Sequence, residues 1–261
     1  MRKKSPSPTR CSNNKRVHFI PSLRRGAATV FHWSLGLALL PLLWAAFREL
    51  TLMIPVLGKD GFQGWWLYAL GIIFYLAFDR IVTQPMSMYV FGHELTHVIS
   101  GLMTGAKVHS FKATAKGGEV RLSKTNTFIS LSPYIIPIYS LIAILLYWIL
   151  QHWWNPPQLL LVFQFLMGST LAFHLVMTMR AIHTRQPDLK GRGLFLSTIL
   201  IALGNALIVT FILIALFART PSFKNYGLNL YHDTTKAWSV TIRTAAALAT
   251  RATPWIRSLT R

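Results

Sequence analysis

Hydrophobic positions fall along the chain in six runs: about Ala27 to Phe47, Trp65 to Phe78 (extending toward Val82), Pro85 to Met103, Phe128 to Leu150, Leu159 to Met179 and Leu194 to Phe217. Most approach or exceed the ~20 apolar residues that a helix needs to cross a bilayer. The first, at 21 residues, is too long for a signal-peptide core and reads as a retained anchor. Residues 48–63, with Pro55, Gly58 and Gly61, read as a polar connection. Asp79-Arg80, closing the second run, reads as an interfacial ion pair. Pro85 suits the first turn of the third helix, and Gly101 to Gly105 its stop. Pro133 and Pro137 stand near the start of the fourth run. Residues 107–124 break the pattern: polar and apolar positions alternate on both sides of Lys116-Gly117-Gly118-Glu119, which predicts a β-hairpin turning there. Residues 151–157 are uncharged and aromatic, as an interfacial loop should be, whereas 180–192 form a charged break. The pattern therefore predicts an all-α multi-pass membrane protein of about six transmembrane helices with a small membrane-associated β-hairpin. It divides into a basic flexible tail (1–26), a membrane-embedded domain (27–217) and a basic tail (218–261) in which 234–252 fits an amphipathic surface helix. No internal repeat is visible.

Composition agrees. Of 261 residues, 52% are hydrophobic and 13% charged, against roughly 25% charged in a soluble domain; the mean hydropathy is +0.42. The length fits one membrane domain, and a separate soluble catalytic domain is not expected. The lone Cys11 excludes an intrachain disulfide and a cysteine-based zinc site. The net charge of +20 is concentrated at the ends: residues 1–25 carry eight Lys/Arg and no acid, and 219–261 carry seven against Asp233. Because both tails flank apolar runs, anionic lipid headgroups are the expected partner and nucleic acid is not. An acid-free start containing Ser and Arg also fits a transit peptide, but it shows no amphipathic helix. If every apolar run crosses, the basic N-terminal tail and the basic hairpin fall on opposite sides, against the positive-inside tendency. A third helix that enters without crossing removes the conflict.

The chemistry concentrates in that third run, at Gly92-His93-Glu94-Leu95-Thr96-His97. Histidines four apart on a helix lie about 40° apart around the axis and roughly 6 Å along it, so both imidazoles reach one metal ion. Glu94 lies about 60° round the axis from His97 and can take a proton from a metal-activated water without being a ligand. The chain has seven acids in all, so one inside an apolar run beside two histidines is costly and points to function. A catalytic zinc needs a third protein ligand and an open position. Glu49, Asp60, Asp79, Glu119 and Asp233 are candidates by type; Asp188, His174 and His183 lie at or between the late spans. His174 and Asp188 would be roughly 21 Å apart on a straight helix, so both cannot bind one ion. His174, alone in an apolar stretch, fits a hydrogen-bonded interior histidine.

These residues resemble the site-2 protease family of intramembrane zinc metallopeptidases, in its compact branch without PDZ domains. The resemblance covers roughly residues 70–205 and runs through the His93–His97 motif, Gly105-Ala106-Lys107-Val108 at its exit, Gly117-Gly118-Glu119-Val120, Leu131-Ser132-Pro133-Tyr134 and Gln186-Pro187-Asp188-Leu189. It implies that His93, His97 and Asp188 bind Zn2+, that Glu94 is the general base, and that the Gly117–Gly118 hairpin lines the path of a locally unwound, membrane-anchored protein substrate. Leu189 follows Asp188 where the family most often has glycine. Histidine-box di-iron enzymes are disfavoured by the single H-x-x-x-H pair, and prenyl-protein-type zinc proteases by the lack of a glutamate on a late span. The alternative is a non-enzymatic transporter or scaffold with a structural His/Glu cluster. A bacterial inner membrane is the expected location.

Overall fold

The computed structural model describes residues 19–59, 65–82, 86–115, 117–191, 193–217 and 223–259. The described residues are mostly helical (82%), with a small two-stranded sheet among them. In order come α1 (Phe19–Lys59), α2 (Trp65–Ile81), α3 (Met86–Met103), β1 (Val108–Thr114), β2 (Gly117–Leu122), α4 (Thr127–Ile135), α5 (Ile138–Trp153), α6 (Leu159–His183), α7 (Pro187–Lys190), α8 (Leu194–Phe217) and α9 (Phe223–Leu259).

Among the described residues, three helices are long and apolar enough to cross a membrane: α1 over Gly26–Met53, α6, and α8 over Leu194–Ala215. Helices α4 and α5 would make a fourth only as one broken span, bent by 67°. The expected count of about six is thus reached in part. Helix α2 has 17 residues, and α3 carries the polar motif. The exterior is apolar: Phe31, Trp44, Ile73, Leu145, Trp148 and Phe211 are among many large side chains left exposed, a surface that hydrocarbon tolerates and water does not.

Several boundaries differ from the sequence pattern. Helix α1 starts inside the expected N-terminal tail and runs through most of the expected polar connection to Lys59, because Leu50, Leu52 and Met53 continue its apolar character. The fourth apolar run splits at Ile136–Pro137, where the ring nitrogen of Pro137 has no proton to give the helix. Gly117 and Gly118 are strand residues, pairing with Thr114 and Ala113, so the hairpin reverses two residues earlier than predicted. Helix α9 is continuous well beyond 234–252.

Helix α6 is the central post, buried along Phe163, Met167, Leu171, His174 and Thr178. It packs closely on α2 through two glycines. A β-carbon at Gly71 would collide with the carbonyl of Phe165, and one at Gly168 with the carbonyl of Tyr68, so the backbones touch directly, as small residues allow in membrane helices. Asp79 pairs not with Arg80 but across this contact with Arg180, at 2.8 and 2.5 Å. Elsewhere, Arg48 of α1 pairs with Asp233 of α9 and lies 3.6 Å from Glu49, which also accepts from Asn229 at 3.4 Å.

Candidate metal centre

Helix α3 divides its circumference among three neighbours. Phe91, Glu94 and Gly101 face the hairpin: Phe91 meets Phe111 edge-on, and Gly101 leaves room for Leu122. Gly92, Thr96 and Ser100 face α4 and α5, where a β-carbon at Gly92 would strike Tyr139 and Ser100 accepts from Ser132 at 2.8 Å. His93 and His97 occupy the stripe between, with Glu94 about 100° from His93 on the hairpin side.

Asp188 reaches that stripe from α7. Helix α6 ends with Arg185 at φ 53, a left-handed residue that reverses the chain. Leu189, 1% exposed, then plugs into a core of Leu131, Tyr134, Ala181 and Ile201. Leu189 is therefore the anchor that aims Asp188 at α3. Oδ2 of Asp188 lies 3.4 Å from Nε2 of His93 and 3.7 Å from Nε2 of His97, and it accepts the Tyr134 hydroxyl at 3.0 Å.

The three ligand atoms all lie within 4.8 Å of one another. Ligands about 2.0–2.1 Å from a tetrahedral zinc stand roughly 3.3 Å apart, so the Asp188 carboxylate, at 3.4 and 3.7 Å, stands near that spacing from each imidazole. The tautomer of His97 also fits. Its Nδ1 donates to the Ile129 carbonyl at 2.9 Å, leaving the Nε2 lone pair toward Asp188. That carbonyl is available because Pro133, four residues on, lacks the N–H that would close the helical bond to it. The proline thus leaves that carbonyl free to orient His97, and the Ser132 hydroxyl donates to it as well, at 2.9 Å.

Glu94 is buried against the hairpin. A β-carbon on Gly118 would stand 2.6 Å from Glu94 Oε1, so only glycine leaves the carboxylate its place. Gly117, at φ 143, adopts a backbone that L side chains rarely reach. Tyr89, His93, Glu94, His97, Gly118 and Asp188 are among the walls of a cleft of about 460 Å³, and β2, hydrogen-bonded to β1 on one side, forms a rim of it.

The other third-ligand candidates sit elsewhere. His174 is buried and shares Nε2 with Asn205 Oδ1 at 3.0 Å, His183 is exposed, and Glu119 is exposed and held by Arg121 at 2.8 Å. Asp60 lies outside the described residues. Sequence reasoning missed Tyr134, Pro133 and Asn205 as supports of the site. A lone asparagine in the most apolar run and a tyrosine deep in another were the available signals. Comparison with known proteins returns no match: no family model, no curated protein and no solved structure is significantly similar to this chain.

Proposed function

We propose that the chain is an intramembrane zinc metallopeptidase of the site-2 protease type, multi-pass in a bacterial inner membrane. It would hydrolyse a peptide bond in or near a transmembrane segment of a membrane-anchored protein. The observation that carries this reading is the convergence of His93, His97 and Asp188 from two separated elements, with Glu94 in the same cleft. Zinc held by those three residues would supply a water of lowered pKa and a Lewis acid for the scissile carbonyl. Glu94 takes the proton of the attacking water and passes it to the leaving amine. Tyr134 and the Ile129 carbonyl hold Asp188 and His97 in place. The unpaired edge of β2 offers backbone hydrogen bonds to an extended peptide, which a helical substrate must become before its carbonyls are open to attack. The basic tails would rest on anionic headgroups.

The test is the metal content of detergent-purified protein by elemental mass spectrometry. The expected result is about one zinc per chain in the wild type and none in His93→Ala. A Glu94→Gln protein should keep its zinc while cleavage of co-reconstituted single-span proteins falls about 10²- to 10⁴-fold. A folded wild type that never met chelator yet carries no metal would overturn the proposal in favour of a structural His/Asp cluster.

A further inference from the structure

Helix α9 is not one of the helices whose apolarity marks them as spans, yet its contacts do not lay it on a membrane surface. Asn229 and Asp233 meet Glu49 and Arg48, near the end of the apolar stretch Gly26–Met53 of α1. Leu230 packs with Leu42, Leu43 and Ala46. Further on, Lys236, Trp238 and Thr241 share a groove with Trp44, Leu37 and Ser34. Residue numbers rise along α9 as they fall along α1, so the two helices run antiparallel. Glu49 and Ser34 stand roughly 22 Å apart along α1, against a hydrocarbon layer of about 30 Å. The contact thus passes the middle of the α1 stretch, and where α1 crosses, α9 crosses beside it.

The polar groups of α9 suit that position. Thr234, Thr235, Ser239 and Thr241 donate their hydroxyl protons to carbonyls of their own helix, at 2.6, 2.8, 2.8 and 2.9 Å, so none of the four depends on water. The buried Asp233 is paired with Arg48. Lys236 and Arg243 flank the segment 237–242, roughly 10 Å apart along the axis. Their long stems can carry the two charges toward opposite headgroup layers.

This direction also sets where the chain's ends go. Helix α1 begins at Phe19 and α9 finishes at Leu259, both away from the Glu49–Asn229 end of the pair. Residues 1–25 carry eight Lys/Arg, and Arg243, Arg251, Arg257 and Arg261 follow on the other side of the sequence, with no acid in either stretch. We propose that α9 is a polar membrane-crossing helix that brings both basic ends of the chain to one side, where they form a single surface for an anionic phospholipid leaflet. The proposal rests on the membrane reading above and not on the zinc centre. On a surface helix the C-terminal tail would instead stay with the α8–α9 connection, on the opposite side. Attraction to an anionic leaflet grows with each cation near it, so gathering both ends on one face strengthens the contact and fixes orientation.

The experiment labels single cysteines of the full chain with a membrane-impermeant maleimide, in sealed right-side-out and inverted membrane vesicles from an expressing bacterium. The sites are the native Cys11, and Lys224→Cys or Ser258→Cys in a Cys11→Ser background. Cys11 and Ser258→Cys should react from the same side, and Lys224→Cys from the other. If Ser258→Cys reacts with Lys224→Cys and opposite to Cys11, α9 does not cross and the proposal is overturned. Cys11 and Lys224→Cys on one side would sink the membrane reading of α1 itself. The leaflet is tested with a solvatochromic fluorophore placed on Cys11 or on Ser258→Cys before reconstitution. Its emission should shift to the blue when phosphatidylglycerol replaces phosphatidylcholine, and return in about 1 M salt. A label at either end that ignores lipid charge overturns the anionic leaflet as the partner.

Discussion

Asp79 and Asp188 are both acids drawn to side chains of another helix, and they are held in opposite ways. Asp79 is 4% exposed in its side chain and receives both arms of the Arg180 guanidinium. That pairing uses a permanent cation in a planar fork, so nothing is left for a ligand. Asp188 is 33% exposed in its side chain and faces two imidazoles at 3.4 and 3.7 Å, longer than a good hydrogen bond. The Arg48–Asp233 pair belongs with the first kind. The difference separates architecture from chemistry: arginine closes a charge off, whereas histidines at ligand distance leave it open to a cation.

Substitutions can break this contrast. The largest effect expected is on Asp188→Ala, which should lose its zinc entirely while its metal-free unfolding midpoint in detergent stays close to wild type; full zinc occupancy there would end the assignment of Asp188. Arg180→Met should do the reverse, lowering fold stability by about 3 kcal/mol because Asp79 stays buried and unpaired, with zinc unchanged. A denaturation curve that does not move would show Asp79 to be solvated. Tyr134→Phe sharpens the picture from the acid's side. Losing the 3.0 Å bond to Asp188 should weaken zinc about tenfold, the low end for an outer partner. Gly118→Ala is expected to act least on metal and only several-fold on cleavage, by pushing Glu94 off its position; equal activity with zinc retained would remove the hairpin from the site.

The elements whose logic is local were readable from residue order. His93, Glu94 and His97 share a helix because 3.6-residue periodicity puts them there, and the alternation around Gly117–Gly118 announced a hairpin. The reversal point moved because those glycines serve the neighbour across the sheet: Gly118 makes space for Glu94, which no local turn rule contains. The mistaken Asp79–Arg80 pairing has the same origin, since sequence neighbours were preferred to an arginine 101 positions away.

Asp188 illustrates the boundary. Reading the residues alone left Asp188, His174 and His183 in competition by position, and the family resemblance favoured Asp188. Its approach to α3 depends on the left-handed turn at Arg185 and on Leu189 filling a core built from α4, α6 and α8. The roles of Pro133, Tyr134, His174 and Asn205 are likewise set by partners on other helices. Apolar runs, basic tails and the i, i+4 histidines follow from short-range periodicity and composition, which the chain carries wherever it folds. Which carboxylate meets which cation follows from long-range packing, because burial makes each polar group seek whatever partner the neighbouring helix supplies.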